Sequence, residues 1–502
     1  MAGKKPNVLV FMADQMTPLA LPFYGHPVTR APHMSQVAAE GVVFDSAYCN
    51  FPLCAPSRYV FMSGRLPSRI GAYDNAAEFP AQIPTFAHAL RNNGYRTILS
   101  GKMHFCGADQ LHGFEERLTT DIYPSDFNWT PNWDRPDERQ EWYHNMSSVL
   151  DAGPCVRTNQ LDFDDEVVFA AERKLYEIVR DKDDRPFFMV VSMTHPHDPF
   201  AIPDEYWNRY RSDEIDMPVD VLPFEAADPH SQRVRTMCEI DATPPSEQQI
   251  RNARRAYYGA ISYVDDQFGR LRRALQATGL AEDTIIIIVS DHGEMLGDRG
   301  LWYKMTFFEG AIRIPLVVHA PGRFKPRRVK ESVSSMDLLP TFLDLTGVPP
   351  LPSEIEGRSL LPHIEGRGGH DEVLAEYLAE GAHAPIVMIR RGPWKFVHSP
   401  ADPDQLYNLA DDPRERINLS ALPEGQEVAA RMRRDVEQIW DLPNLHNDIV
   451  QSQRRRRYVF SALKTGSLTA WDYQPVVDAS RQYVRSHMDL DDVEAMARFP
   501  RP

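Results

Sequence analysis

Four short apolar runs, each ending abruptly in a polar cluster, constrain this chain more than any other feature. Asn7 to Met12 runs into Asp14-Gln15, and Thr97 to Ser100 into Gly101-Lys102-Met103-His104. Phe187 to Met193 ends at His195-Pro196-His197-Asp198-Pro199, and Ile285 to Val289 at Ser290-Asp291-His292-Gly293. A strand that is apolar on both faces has to be covered on both, which is the situation of parallel strands joined by crossover helices. The intervening stretches supply such helices. Met34 to Glu40, Thr85 to Asn92, Asp164 to Arg180 and Gln248 to Gly279 carry apolar residues at helical spacing, and several close on glycine. The pattern predicts an α/β fold, a doubly wound sheet with helices on both faces. In such sheets the crevice lies beyond the carboxyl ends of the strands, so the four polar clusters are expected to meet in one site.

A fifth cluster, Cys54-Ala55-Pro56-Ser57-Arg58, combines a thiol, a helix start and a fixed positive charge. Pro56 suits a first turn, Arg58 to Met62 reads helical, and Gly64 stops the run. Cys54 is thereby expected at a helix N-terminus, where unpaired N–H groups favour an anion and would lower a thiol pKa. Asp14, Asp291 and His292, with Gln15 as a possible carbonyl donor, form an oxygen-rich set that suits a hard divalent ion, Ca²⁺, Mg²⁺ or Mn²⁺, better than structural zinc. Lys102, His104, His197 and Lys304 would line the crevice with cations and proton carriers, as an anionic ester and a developing alkoxide require. His195, separated from His197 by Pro196, is not expected to share that crevice.

A net charge of −16 over 502 residues excludes a general nucleic-acid binder. Five cysteines, odd in number and without C-x-x-C spacing, suit a reducing compartment, and the cytoplasm is the expected location. No segment approaches the roughly 18 apolar residues of a membrane span, so no membrane partner is expected.

Residues 1–371 read as the catalytic domain. Within it, 106–163 lacks sustained periodicity yet carries Tyr123, Phe127, Trp129, Trp133, Trp142 and Tyr143, which marks an ordered, functional insertion. Residues 372–449 read as a small α+β domain, with short strands at Val373 to Tyr377, Ile386 to Arg390, Trp394 to His398 and Leu406 to Asn408 and a helix from Gly425 to Trp440. Residues 450–502 form a tail rich in Arg, Tyr and Trp, the composition of a subunit interface.

Taken in order, Ala13-Asp14-Gln15, Cys54 to Arg58, Gly101 to His104, Pro196 to Pro199, Ser290 to Glu294 and Lys304 resemble the motif set of the type I sulfatases of the alkaline phosphatase superfamily. The resemblance covers nearly the whole chain. It implies that a formylglycine-generating enzyme oxidises Cys54 to formylglycine, whose hydrate is the nucleophile. It further implies that Asp14, Asp291, His292 and position 54 hold one divalent metal, Ca²⁺ foremost. Arg58 would then orient the nucleophile, Lys102 and Lys304 hold the sulfate, His197 and Lys304 assist the leaving alcohol, and His104 take the proton of the second hydroxyl. Two departures stand out: many sulfatases have a second Asp where this chain has Gln15, and Asn is frequent where it has His292. The Gln also occurs in phosphonate monoester hydrolases, so these residues alone leave sulfate and phosphorus esters both open. A catalytically silent binding protein with unmodified Cys54 is the remaining alternative.

Within that family, Gly107 to Pro124 and the tail from Trp471 to Pro475 and from Ala497 to Pro500 look like those of the choline sulfatases. The substrate implied is choline O-sulfate. Its trimethylammonium end calls for an aromatic wall and a carboxylate, each cation–π contact contributing roughly 0.5–2 kcal/mol. Trp129 is the first candidate for the wall, with Tyr143 and Trp133 after it. Glu380, Asp489 and Asp491 are the candidate carboxylates, the last two on a tail expected to come from a neighbouring subunit of a homo-oligomer, a dimer or tetramer.

Overall fold

The computed structural model describes residues 5–466, 488–489 and 492. Its main sheet is built from β1 (Asn7–Ala13), β2 (Val42–Tyr48), β3 (Arg96–Gly101), β4 (Glu116–Arg117), β6 (Phe187–Ser192), β8 (Thr284–Ser290), β9 (Leu316–His319) and β10 (Arg327–Ser334). The short pair β5 (Gly153–Cys155) and β7 (Ala201–Pro203) lies outside it. The strand order is β10-β2-β9-β8-β1-β6-β3-β4. The four apolar runs are four consecutive strands of this order, β8-β1-β6-β3, all parallel. Their ends are flush: Ala13 pairs with Ser290, and both Met12 and Gly101 pair with Ser192. All four strands are buried along their whole length. The clusters that follow them are brought together because the strands stop at one level.

The sheet is mixed rather than purely parallel, since β9 runs antiparallel to both β8 and β2. Helices Pro32–Glu40, Asn159–Arg180 and Glu247–Ala277 pack with one another, as do Cys54–Ser63, Phe86–Asn92 and Leu338–Thr346, giving the two covering layers. The helix expected from Asp164 starts five residues earlier, at Asn159, because the Thr158 hydroxyl accepts from Leu161 N–H and caps it there. It therefore begins inside the insertion.

The second unit is an antiparallel sheet of β11 (Glu372–Tyr377), β12 (Ile386–Arg391), β13 (Trp394–Ser399) and β14 (Asp402–Asn408), in that order, packed against the helix Pro423–Ile439. A further helix, Leu442–Leu463, runs unbroken across the division drawn at residue 450. Its buried residues, Leu442, Leu445, Ile449, Gln453 and Arg456, lie on one face, apolar at first and polar towards the end. Among the described residues no helix is long and apolar enough to cross a membrane. All five cysteines are free thiols.

Candidate active site

Asp14 follows β1 and Asp291 follows β8, and both carboxylates are fully buried around the Arg58 guanidinium. Arg58 Nε donates to Asp291 Oδ2 and Nη2 to Asp14 Oδ2, each at 2.9 Å. Nη1 donates to the Lys102 carbonyl at 2.6 Å and to Ser192 Oγ at 2.8 Å, so one planar cation ties together the ends of four neighbouring strands. Lys102 reaches the same Asp14 oxygen. Gly101 allows this approach: it has φ 103°, and a Cβ there would meet the Ser192 carbonyl at 2.0 Å. Burial alone would raise the Asp14 pKa, but Lys102, His197 and Arg58 hold it well below the usual carboxylate range.

Cys54 opens the helix Cys54–Ser63, which Gly64 ends at φ 65°. Its Sγ is 3.2 Å from His292 Nε2 and 3.9 Å from Asp14 Oδ1. The expected lowering of the thiol pKa is overturned. Burial first, and then Asp14, push it up to about 11, because the helix-end dipole acts in a desolvated pocket beside an anion. Asp14, Cys54, Asp291 and His292 bring four ligand atoms within 4.8 Å of one another. His292 Nδ1 donates to the Gly293 carbonyl at 3.0 Å, which leaves Nε2 with its lone pair facing the cluster. A buried set of two carboxylates, one imidazole and position 54 fits a divalent cation.

Gln15, expected as a possible metal carbonyl donor, is used differently. Its Oε1 accepts from Lys304 Nζ at 2.6 Å, and its Nε2 donates to Glu294 and, at 3.4 Å, to Asp198. Lys304 also donates to His197 Nε2 at 2.8 Å, while His197 Nδ1 donates to the Asp198 carbonyl at 2.6 Å. Burial, then Lys304, lower the His197 pKa well below its ordinary value and keep the ring neutral. For Lys304 burial works against the charge, but Cys54, Asp198, Asp14 and Glu294 raise its pKa. His195 turns away, as expected, to Asp164 and Tyr263.

The insertion supplies the opposite wall. His104 sits at φ 58°, fixed by Asp121, whose Oδ2 accepts from the N–H groups of Met103 and His104. Both ring nitrogens of His104 are buried without a hydrogen-bond partner among the described residues, and burial followed by Lys102 lowers its pKa to about 3. The His104 ring meets Trp129 edge-on at 5.7 Å. Trp129 contacts Tyr123 at 5.4 Å and stacks on Trp142 at 6.4 Å, and Tyr143 meets Trp142 edge-on at 4.5 Å. Trp133 is buried, and its indole N–H donates to the Ala379 carbonyl.

The next residue, Glu380, is 3 % exposed, and no hydrogen-bond donor among the described residues faces its Oε2. Burial, with Asp74, pushes its pKa up to about 7, against its own backbone N–H and Lys304, which act in the other direction. Of the two tail acids, Asp489 is exposed and Asp491 lies outside the described residues, as do the tail motifs from Trp471 to Pro475 and from Ala497 to Pro500. Sequence reasoning missed Asp121, His144 and Asp74. His144 lies 3.4 Å from Lys304 and packs on Tyr303.

The family model described as Sulfatase matches residues 6–348, one described as Choline sulfatase enzyme C terminal matches 447–499, and one described as N-sulphoglucosamine sulphohydrolase, C-terminal matches 297–441. A choline-sulfatase of Rhizobium meliloti is 45% identical over 511 residues, covering 100% of both chains. An arylsulfatase of Clostridium perfringens is 27% identical, covering 86% of this chain and 93% of its own. Among solved structures, the phosphonate monoester hydrolase of Agrobacterium radiobacter superposes with a TM-score of 0.69 at 25% identity, covering 88% of this chain and 96% of that one. With the model match spanning the whole β1 to β10 sheet and a full-length relative at this identity, the chain belongs to the sulfatase family.

Proposed function

We propose that the protein hydrolyses choline O-sulfate to choline and sulfate. The observation that carries this reading is Glu380, a buried carboxylate whose Oε2 has no hydrogen-bond partner among the described residues, in the electrostatic reach of Lys304 and of Tyr143, whose ring meets Trp142 of the Trp129–Trp142 pair. Leaving a carboxylate unpaired in that way is costly unless a ligand cation neutralises it. A trimethylammonium group has no N–H to give, so a π-face and an anion are what it can use. The full-length likeness to the Rhizobium meliloti choline-sulfatase supports the same reading.

A formylglycine at position 54 and a divalent cation, Ca²⁺ foremost, held by Asp14, Asp291 and His292 would supply the nucleophilic hydroxyl and the charge that ionises it. The chain's own residues do the rest. Arg58 fixes the two carboxylates and so the nucleophile's partners. Lys102 and Lys304 neutralise the sulfate oxygens. Lys304, hydrogen-bonded to neutral His197, forms the pair that delivers a proton to the departing alcohol. Neutral His104, with neither nitrogen bonded to a partner among the described residues, accepts the proton released as the aldehyde is restored. A formylglycine-generating enzyme is the partner this requires. We also propose a homo-oligomer assembled through the tail and, from the free thiols, residence in the cytoplasm.

The test is turnover of metal-loaded, modified protein on choline O-sulfate, its neutral isostere with carbon in place of nitrogen, and an aryl phosphonate ester. A kcat/KM for choline O-sulfate no higher than for the isostere would refute the reading. A preference for the phosphonate would favour the second one, a phosphonate monoester hydrolase, which Gln15 and the Agrobacterium radiobacter superposition keep in view.

A further inference from the structure

The buried face of the helix Leu442–Leu463 starts apolar, with Leu442, Leu445 and Ile449, and turns polar in its second half, with Gln453 and Arg456. Packing alone would be served by Leu or Met at those positions, since a buried ion pair is poor value for stability. Each polar group instead holds a segment of the ammonium wall. Arg456 makes a two-pronged bond to Asp74, Nη1 to Oδ1 at 2.6 Å and Nη2 to Oδ2 at 2.7 Å, and Nη1 also donates to Thr130 Oγ1 at 3.1 Å. Thr130 is the neighbour of Trp129. Gln453 Oε1 accepts from Trp133 N–H at 2.8 Å, and the Trp133 indole in turn donates to Ala379, the neighbour of Glu380. Asp74 is fully buried and is followed by Asn75, whose Oδ1 accepts from Ala55 N–H at 2.9 Å, beside Cys54.

We propose that Arg456, with Gln453, is a positioning residue for substrate selection, clamping the Trp129 loop and neutralising Asp74 so that Glu380 is left to meet the substrate's ammonium group. The proposal rests on the reading of the site as one for a quaternary ammonium ester. It assigns this role to the start of the tail within the same chain, whatever the remainder of the tail contributes to assembly. The electrostatic half has a definite sign. Asp74 raises the pKa of Glu380, and Lys304 lowers it. Tyr143, Tyr377 and Cys238, the other titratable groups facing Glu380, carry no charge near neutral pH because burial raises all three. Removing the Arg456 charge leaves Asp74 uncompensated and moves Glu380 towards its protonated form.

The experiment compares Arg456→Gln, Asp74→Asn and the double variant in the full-length, metal-loaded enzyme, on choline O-sulfate, its neutral isostere and para-nitrophenyl sulfate across pH. For Arg456→Gln, the KM for choline O-sulfate is expected to rise about tenfold or more near neutrality, and the pH midpoint of kcat/KM to move up by about one unit. Turnover of para-nitrophenyl sulfate stays within about twofold. Asp74→Asn keeps the acceptor for Ala76 N–H and moves the midpoint down, and the double variant returns it towards that of the parent. Should Arg456→Gln fail to fold, the downward shift in Asp74→Asn carries the test. Folded variants with an unmoved midpoint and unchanged KM overturn the proposal, as does equal loss on all three substrates, which marks a purely structural pair. A parent enzyme without preference for choline O-sulfate over the isostere overturns the underlying reading, and the clamp's role with it.

Discussion

Replacing Glu380 by Gln should make the ligand-free protein more stable and the enzyme less selective, and both effects can be sized. Burial, then Asp74, raise the carboxyl from 4.5 to about 7. That rise corresponds to about 3 kcal/mol against the ionised form. In the unfolded chain the group ionises near 4.5 and in the folded chain near 7, so the folded state binds the extra proton between those values. Stability is therefore lost as pH rises through this window; the penalty is complete above it and absent below it. Glu380→Gln removes the penalty, so its thermal midpoint should exceed the parent's at about pH 8 and converge with it near about pH 4.5.

The same charge serves the substrate. A carboxylate and a quaternary nitrogen about 5 Å apart at an effective dielectric of about 20 attract by about 3 kcal/mol, roughly a hundredfold in KM. For choline O-sulfate, kcat/KM of the parent should fall by close to tenfold between about pH 8 and about pH 6, as the ionised fraction of the free enzyme drops. The neutral isostere should lack that limb, and Glu380→Gln should abolish it. A Glu380→Gln protein that is less stable at alkaline pH, or that keeps the parent's KM for choline O-sulfate, would refute both halves of the argument.

Mass spectrometry of the peptide containing Cys54 should find an aldehyde or its hydrate in active protein, and Cys54→Ala should be inactive with an unchanged melting profile. Chelation should abolish turnover reversibly. Asp14→Ala should abolish it irreversibly and lower the melting midpoint, because Lys102 and one arm of Arg58 are then buried without their counter-charge, a loss of about 3–5 kcal/mol. Trp129→Ala should raise KM for choline O-sulfate about tenfold, about 1.4 kcal/mol, while leaving para-nitrophenyl sulfate turnover nearly unchanged.

The strands that end in the site were legible because β1, β3, β6 and β8 are apolar on both faces, and their flush ends follow from pairing neighbours in parallel register. The Cys54 helix was legible from Pro56 in its first turn and Gly64 at its end. The direction of the Cys54 pKa was not, because it is set by Asp14, forty residues away in sequence, together with burial that no local pattern encodes. A four-residue strand such as β9 carries no signal of its direction, so the antiparallel pairing in the sheet could not be foreseen. Asp121 and His144 lie in a stretch without periodicity, where position along the chain says nothing of position in space. Asp74 and Arg456 are 382 positions apart, and nothing local marks either as the other's partner.

The acidic end of the site cannot by itself decide which ester is cleaved. Sulfate monoesters, phosphonate monoesters and phosphodiesters are all tetrahedral and carry a single negative charge, so Lys102 and Lys304 meet nearly the same anion in each case. Gln15 adds no charge of its own; it joins Lys304 to Glu294, a carboxyl that burial pushes up to about 7. A neutral amide there discriminates between these anions less than a second fixed carboxylate would. Selection has to be made where the substrates differ, at the alcohol. A hydrophobic wall alone separates a trimethylammonium group from its carbon isostere only weakly, because the shapes match, whereas a buried carboxylate left unpaired by the isostere rejects it strongly. On the proposed reading Glu380, a buried carboxylate whose Oε2 has no partner among the described residues, is that element. On that reading the cleavage is carried by strand ends together with the Cys54 helix, and the choice of substrate by the 106–163 insertion, the turn after β11 and the helix Leu442–Leu463.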